Sequence, residues 1–139
     1  MRVLLDTNIL LDAIAARDPF KEEAQEIFLM AAKEEIEGFV TANSITDIYY
    51  IACRSGLDDA AARKAIHNLM QVFSVIDVRG ADCEAALALP IPDYEDAIVV
   101  ECGRRESIGY IITRDQDFLE TDCDPAPVTP VAFIKEMSL

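Results

Sequence analysis

Apolar residues along this chain alternate between two rhythms. Val3-Leu4-Leu5 is a short unbroken run stopped by Asp6-Thr7-Asn8, after which Ile9, Leu10, Ala13 and Ile14 return at helical spacing. That change of period predicts a buried strand feeding a helix. Asp18-Pro19 reads as a helix start, an N-cap with proline in the first turn, and Phe20, Ala24, Ile27, Phe28 and Ala31 form the apolar stripe behind it. Glu22, Glu23, Glu26, Glu34, Glu35 and Glu37 fall mainly on the opposite, solvated side, and Gly38 punctuates.

The same alternation continues to the end. Phe39-Val40-Thr41 predicts a second strand, Asn43 or Ser44 caps a helix carrying Ile45, Ile48, Tyr49 and Ala52, and Gly56 ends it. A helix over 58–72, a strand over 74–78 and a helix over 81–89 follow, then the rigid connector Pro90-Ile91-Pro92. Asp93 caps a helix running to about residue 106, with Gly109 as its breaker. Residues 110–113 predict a fourth strand, 114–127 an acidic loop, Val128 a last short strand, and Thr129-Pro130 a terminal helix. Strands alternating with helices imply right-handed crossovers. The expected architecture is α/β, three-layered, with a central and mainly parallel sheet flanked by helices, in a single domain over 1–139.

Composition narrows the function. The 139 residues are 52% apolar, enough for one buried core. Against 12 basic residues stand 26 acidic ones, a formal charge of -14. Such a chain does not coat nucleic acid or anionic lipid by bulk attraction. A phosphate-bearing partner needs a local device, either a bound cation or a confined basic strip. No apolar run approaches the ~20 residues of a membrane span. Asp6, Asn8 and Asp12 interrupt the N-terminal apolar segment too early for a signal peptide. Cys53, Cys83, Cys102 and Cys123 form no CxxC pair and read as reduced thiols, so a cytoplasmic location is expected.

Most of the acids belong to exposed helix faces, and position relative to the strands filters the rest. Ligand sites in open α/β sheets form beyond the carboxyl ends of the strands. Asp6, Asp47, Asp96 and Asp115 fall there, while Asp93 reads as a plain N-cap. Two carboxylates ~4 Å apart repel by ~4 kcal/mol at an effective dielectric of 20, so a cluster of four needs protons or cations. Oxygen donors without histidine favour a hard ion, Mg2+ or Mn2+. The one histidine, His67, has helix neighbours Ile66, Leu69 and Met70 and no partner at ligand spacing.

These residues also carry a resemblance. Leu4-Leu5-Asp6-Thr7-Asn8-Ile9-Leu10-Leu11-Asp12, Ser44-Ile45-Thr46-Asp47-Ile48-Tyr49-Tyr50, Asp93-Tyr94-Glu95-Asp96-Ala97 and Ile111-Ile112-Thr113-Arg114-Asp115-Gln116-Asp117-Phe118 resemble the four signature blocks of the PIN domain. Their order and spacing match across essentially the whole chain. The resemblance implies a ribonuclease similar to the VapC-type toxins of toxin-antitoxin pairs, hydrolysing RNA phosphodiesters with Mg2+ or Mn2+. It places Asp6, Asp96 and Asp115 on the metal, with Asn8 and Thr113 in support. Asp47 stands where many members have glutamate; one methylene shorter, it reaches through a water or a small backbone shift. Asp117 is an auxiliary acid and Asp93 a cap that acts through its neighbours. Beside the centre, Arg114 is a contact for a substrate phosphate or half of a surface salt bridge. Similar proteins are homodimers, and toxins of this kind are inhibited by an antitoxin whose basic tail enters the acidic groove, its arginine standing in for the metal.

Other α/β phosphate enzymes fit less well. A haloacid-dehalogenase-like phosphatase wants a DxD nucleophile motif, but the second acid is replaced by Asn8. A receiver domain wants an acidic pair after the first strand and a late lysine, where this chain has Asp6 alone and Arg114. A PIN-like binding or scaffold module without catalysis is the remaining alternative, favoured only by Asp47.

Overall fold

A computed structural model describes residues 1–139. Chain order runs β1 (Arg2–Leu5), α1 (Thr7–Ile14), α2 (Lys21–Ala32), β2 (Glu37–Thr41), α3 (Ala42–Arg54), α4 (Asp59–Val72), β3 (Ser74–Ile76), α5 (Gly80–Ala86), α6 (Tyr94–Arg105), β4 (Tyr110–Ile112), α7 (Gln116–Leu119), β5 (Ala126–Val128) and α8 (Pro130–Met137). The strands form one sheet in the order β3-β2-β1-β4-β5, and every pairing is parallel. Parallel strands require crossovers, and helices cover both faces, giving the expected three layers. No helix is long and apolar enough to cross a membrane.

Strand β1 shows why its run is unbroken rather than alternating. Val3 and Leu5 enter a core with Ile9, Leu10, Ile27, Ile48 and Phe133 from α1, α2, α3 and α8. Leu4, pointing the other way, packs with Val100, Ile111, Ile98 and Phe118 beneath α5 and α6. All three residues are at most 1% exposed. Because β1 lies between β2 and β4, the chain order reverses beside it, and the crevice beyond the β1 and β4 carboxyl ends is the ligand-binding position of such sheets.

Four expectations are corrected. Helix α2 begins at Lys21, since the Phe20 amide bonds to the Arg17 carbonyl and extends the turn leaving α1; Asp18 pairs instead with Lys21 at 3.3 Å. Gly38 breaks nothing: it lies inside β2, where an added Cβ would strike the Phe73 ring. Neither Asn43 nor Ser44 caps α3; Thr41 does, its Oγ1 accepting from the Ser44 amide at 3.4 Å. The acidic stretch after Arg114 is ordered into α7 and β5, because Asp115 caps a helical turn and residues 126–128 pair with β4.

Candidate active site

Three turns meet at the carboxyl edge of the sheet. Asp6 ends β1 and caps α1, its Oδ1 accepting from the Thr7 amide at 2.8 Å. Its other oxygen, Oδ2, accepts from Thr113 Oγ1 at 2.8 Å and from Asn8 Nδ2 at 3.5 Å. Thr113 Oγ1 in turn accepts from the Asp115 amide at 3.1 Å, so one buried hydroxyl fixes the β1 turn to the β4 turn. Asp115 caps α7 by accepting from the Asp117 amide at 3.1 Å. Across the crevice Asp93 caps α6 by accepting from the Asp96 amide at 3.1 Å, which fixes where Asp96 sits.

Four acids face a common space. Asp93, Asp96, Asp115 and Asp117 line a cavity of about 240 Å³ together with Ile91, Pro92 and Thr121. Asp96 is pushed up to about 7, first by burial and then by the charges of Asp6, Asp93, Asp115 and Glu95. Burial likewise raises Asp6, opposed by the Thr113 and Thr7 hydrogen bonds and reinforced by Asp115 and Asp93. An acid crowded by like charges and by burial takes up a proton more readily, which relieves the repulsion.

Asp47 lies in an adjoining depression with Asn43, Thr46, Tyr94, Glu95 and Ile98 rather than in the cavity of Asp96 and Asp115. Its position is set by a chain of hydroxyls: Thr7 Oγ1 meets Ser44 Oγ at 2.8 Å, and Ser44 Oγ meets Thr41 Oγ1 at 3.3 Å. This chain ties the start of α3, and so Asp47 one turn later, to the Asp6 turn. Glu95 bridges the two groups. Its carboxyl is raised by burial and by the charges of Asp47, Asp93 and Asp6.

Two acids of consequence escape a reading by strand ends. Glu95 occupies the first turn of α6 between Asp93 and Asp96, where the dipole alone explains an acid. Asp12 is fully buried, held by Arg17 Nε at 3.0 Å and by Arg114 Nε at 2.6 Å. Its signal is an acid among Ile9, Leu10, Leu11 and Ala13, all of them buried on α1. Arg114 is therefore committed to Asp12 through Nε and Nη2, with its guanidinium 3.9 Å above the Phe20 ring.

The donor set suits a hard divalent ion. Every candidate ligand atom is an oxygen, and the amide oxygen of Asn8, next to Asp6, is buried with no hydrogen-bond partner. No three of the carboxylates already meet in coordinating geometry.

A family model described as PIN domain matches residues 2–117. The chain belongs to the PIN domain family. Among solved structures, a toxin-antitoxin complex from Klebsiella pneumoniae superposes with a TM-score of 0.67 at 24% identity, covering 92% of this chain and 97% of that one. The Mycobacterium tuberculosis protein VapC20, described as a sarcin-ricin loop cleaving toxin, gives 0.66 at 18% identity over 83% of this chain and 91% of its own. VapBC2 from Rickettsia felis, bound to a DNA fragment from its promoter, gives 0.64 at 15% identity over 93% and 98%. At these identities the likeness is one of fold. A search of curated proteins returns no match. The PIN fold brings the blocks of Asp93, Asp96, Asp115 and Asp117, distant along the chain, to one cavity, with the block of Asp47 in the depression beside it.

Proposed function

We propose that this PIN domain is a Mg2+- or Mn2+-dependent endoribonuclease, the toxin of a type II toxin-antitoxin pair. The observation that carries the reading is the cavity lined by Asp93, Asp96, Asp115 and Asp117 at the reversal point of a PIN sheet. Asp6, Asp96 and Asp115 would hold the ion, with Asp47 and Glu95 as outer acids. When bound, the ion neutralises charge, acidifies the attacking water and stabilises the leaving 3'-oxygen.

The chain's own residues prepare that chemistry. Thr113 and the Thr7 amide orient Asp6, Asp93 fixes the first turn of α6 so that Asp96 faces the cavity, and the Thr113–Asp115 bond holds the opposite wall. Asp117 adds a further acid to that wall. No protein nucleophile takes part. The excess of acid also suits a basic antitoxin tail whose arginine occupies the cation position. The proposed state is a cytoplasmic homodimer, inhibited by that antitoxin. The solved relatives described as toxin-antitoxin assemblies support this pairing.

Calorimetric titration with Mn2+ tests the centre. The proposal expects saturable binding by the wild-type chain that Asp96→Asn and Asp115→Asn remove while the thermal transition persists. A wild-type chain that takes up no ion is a binding module on a PIN fold, and the enzymatic reading fails.

A further inference from the structure

A chain of charge -14 must bring a polyanion to its crevice, and cation neutralisation at the acids solves only half of that problem. The other half is where the strand of phosphates next to the cleaved bond rests. Outside this region half of the basic residues are taken by acids, Arg2 by Glu37, Lys21 by Asp18, Arg63 by Asp59, Arg104 by Glu101 and Arg105 by both Asp82 and Glu106, while Lys33, Arg54, Lys64, Arg79 and Lys135 stand outside any ion pair. Asp12 reverses this bookkeeping, because two guanidiniums share its one carboxylate. One positive charge is left over at that corner.

The corner is tied to the two turns that carry Asp6 and Asp115. Arg114 immediately precedes Asp115, and Arg17 Nη2 donates to the Asn8 carbonyl at 3.3 Å, two residues from Asp6. Neither guanidinium is used up. Arg114 binds through Nε and Nη2 and Arg17 through Nε and Nη2, so Nη1 of each has no partner in the chain. The side chains remain 32% and 39% exposed. Asp12, itself fully buried, holds both forks in place in advance, so little side-chain entropy is left to lose on binding. Phe20 completes the group: Arg114 covers one part of its ring, and 41% of the residue stays open to solvent. A charged fork beside an exposed aromatic is the combination that holds a single-stranded nucleic acid, through phosphate and base together.

We infer that Arg17, Arg114 and Phe20 form a subsite for the RNA chain beside the acidic crevice, the arginines taking a phosphodiester oxygen and Phe20 stacking a base. The inference rests on the ribonuclease reading and gives it a substrate-facing side. Asp12 is a positioning residue that fixes the two arginines without touching RNA.

The test is fluorescence anisotropy with a labelled single-stranded RNA of mixed sequence, in EDTA at low ionic strength, so that binding is read without hydrolysis. Arg17→Gln leaves Arg114 on Asp12, and Phe20→Ala alters an exposed residue, so both keep the fold. Each is expected to weaken binding about tenfold. Arg17→Gln lowers the slope of log affinity against log salt by about 0.7, whereas Phe20→Ala leaves the slope alone. Lys33→Gln, at the opposite end of the sheet beyond α2, changes neither. Equal binding by wild type, Arg17→Gln and Phe20→Ala, in a chain that cleaves RNA with Mn2+, overturns the subsite and leaves the ribonuclease reading standing. A loss for Lys33→Gln as large as for Arg17→Gln also overturns it, since only bulk charge is then at work. A wild-type chain that neither binds nor cleaves RNA overturns the ribonuclease reading, and the subsite with it.

Discussion

Thr113 Oγ1 donates to Asp6 Oδ2 at 2.8 Å across 107 positions of sequence, joining the ends of the two strands between which the sheet reverses. A neutral hydroxyl is the only side-chain donor at this short a distance on a half-buried carboxylate that desolvation drives toward its protonated form. Thr113→Val, the same shape without the hydroxyl, is expected to weaken Mn2+ binding about tenfold and to lower stability by ~1–3 kcal/mol. Thr113→Ser should restore most of both. Calorimetry and thermal melting on the three chains check this.

The acids also set a pH dependence. Asp96 titrates at about 7 in the fold and near its ordinary 3.8 when unfolded, so between these values the native chain holds the extra proton. Stability of the metal-free chain therefore falls as pH rises from about 4 to about 7, by a few kcal/mol at most. Asp6 and Glu95, both raised, contribute in the same sense. Melting temperatures in EDTA should fall across this window, Asp96→Asn should flatten the fall, and added Mn2+ should reverse it.

Glu95 and Asp47 repel one another in the depression beside the main cavity. In EDTA, Glu95→Gln and Asp47→Asn are each expected to stabilise the fold slightly. Their combination should gain less than the sum, because either change alone relieves the same repulsion. A melting-based double-mutant cycle at pH 8 measures this coupling. A strictly additive pair would place the two carboxylates out of reach of each other.

Asp12 is buried beneath two arginines that stay partly in water. Asp12→Asn leaves those guanidiniums without their counter-ion and costs about 2–3 kcal/mol, less than a fully buried pair would lose. Chemical denaturation of the variant against wild type reads this directly.

Much of this was legible in the chain because apolar runs and helical periods report burial on two faces. β1, α1 and α4 lie close to where the pattern puts them, as does Asp93 as the cap of α6. What escaped was tertiary. Gly38 looks like a break because nothing in sequence reveals the Phe73 ring that requires it in β2. Asp18-Pro19 looks like a helix start because the local signal ignores the turn that carries the chain out of α1. The acids after strands were findable by position. Glu95 was hidden by an innocent role at a helix N-terminus, and Arg114's attachment to Asp12 depends on a contact between residues 102 apart.

The central claim is that the acidic crevice hydrolyses RNA through a divalent ion, and RNA cleavage by single aspartate variants tests it most directly. Wild-type chain with Mn2+ is expected to cut RNA and to stop in EDTA. Asp6→Asn, Asp96→Asn and Asp115→Asn should each abolish cutting while retaining a cooperative thermal transition. Full activity in all three variants, or cleavage by the wild type that EDTA does not affect, would contradict the account.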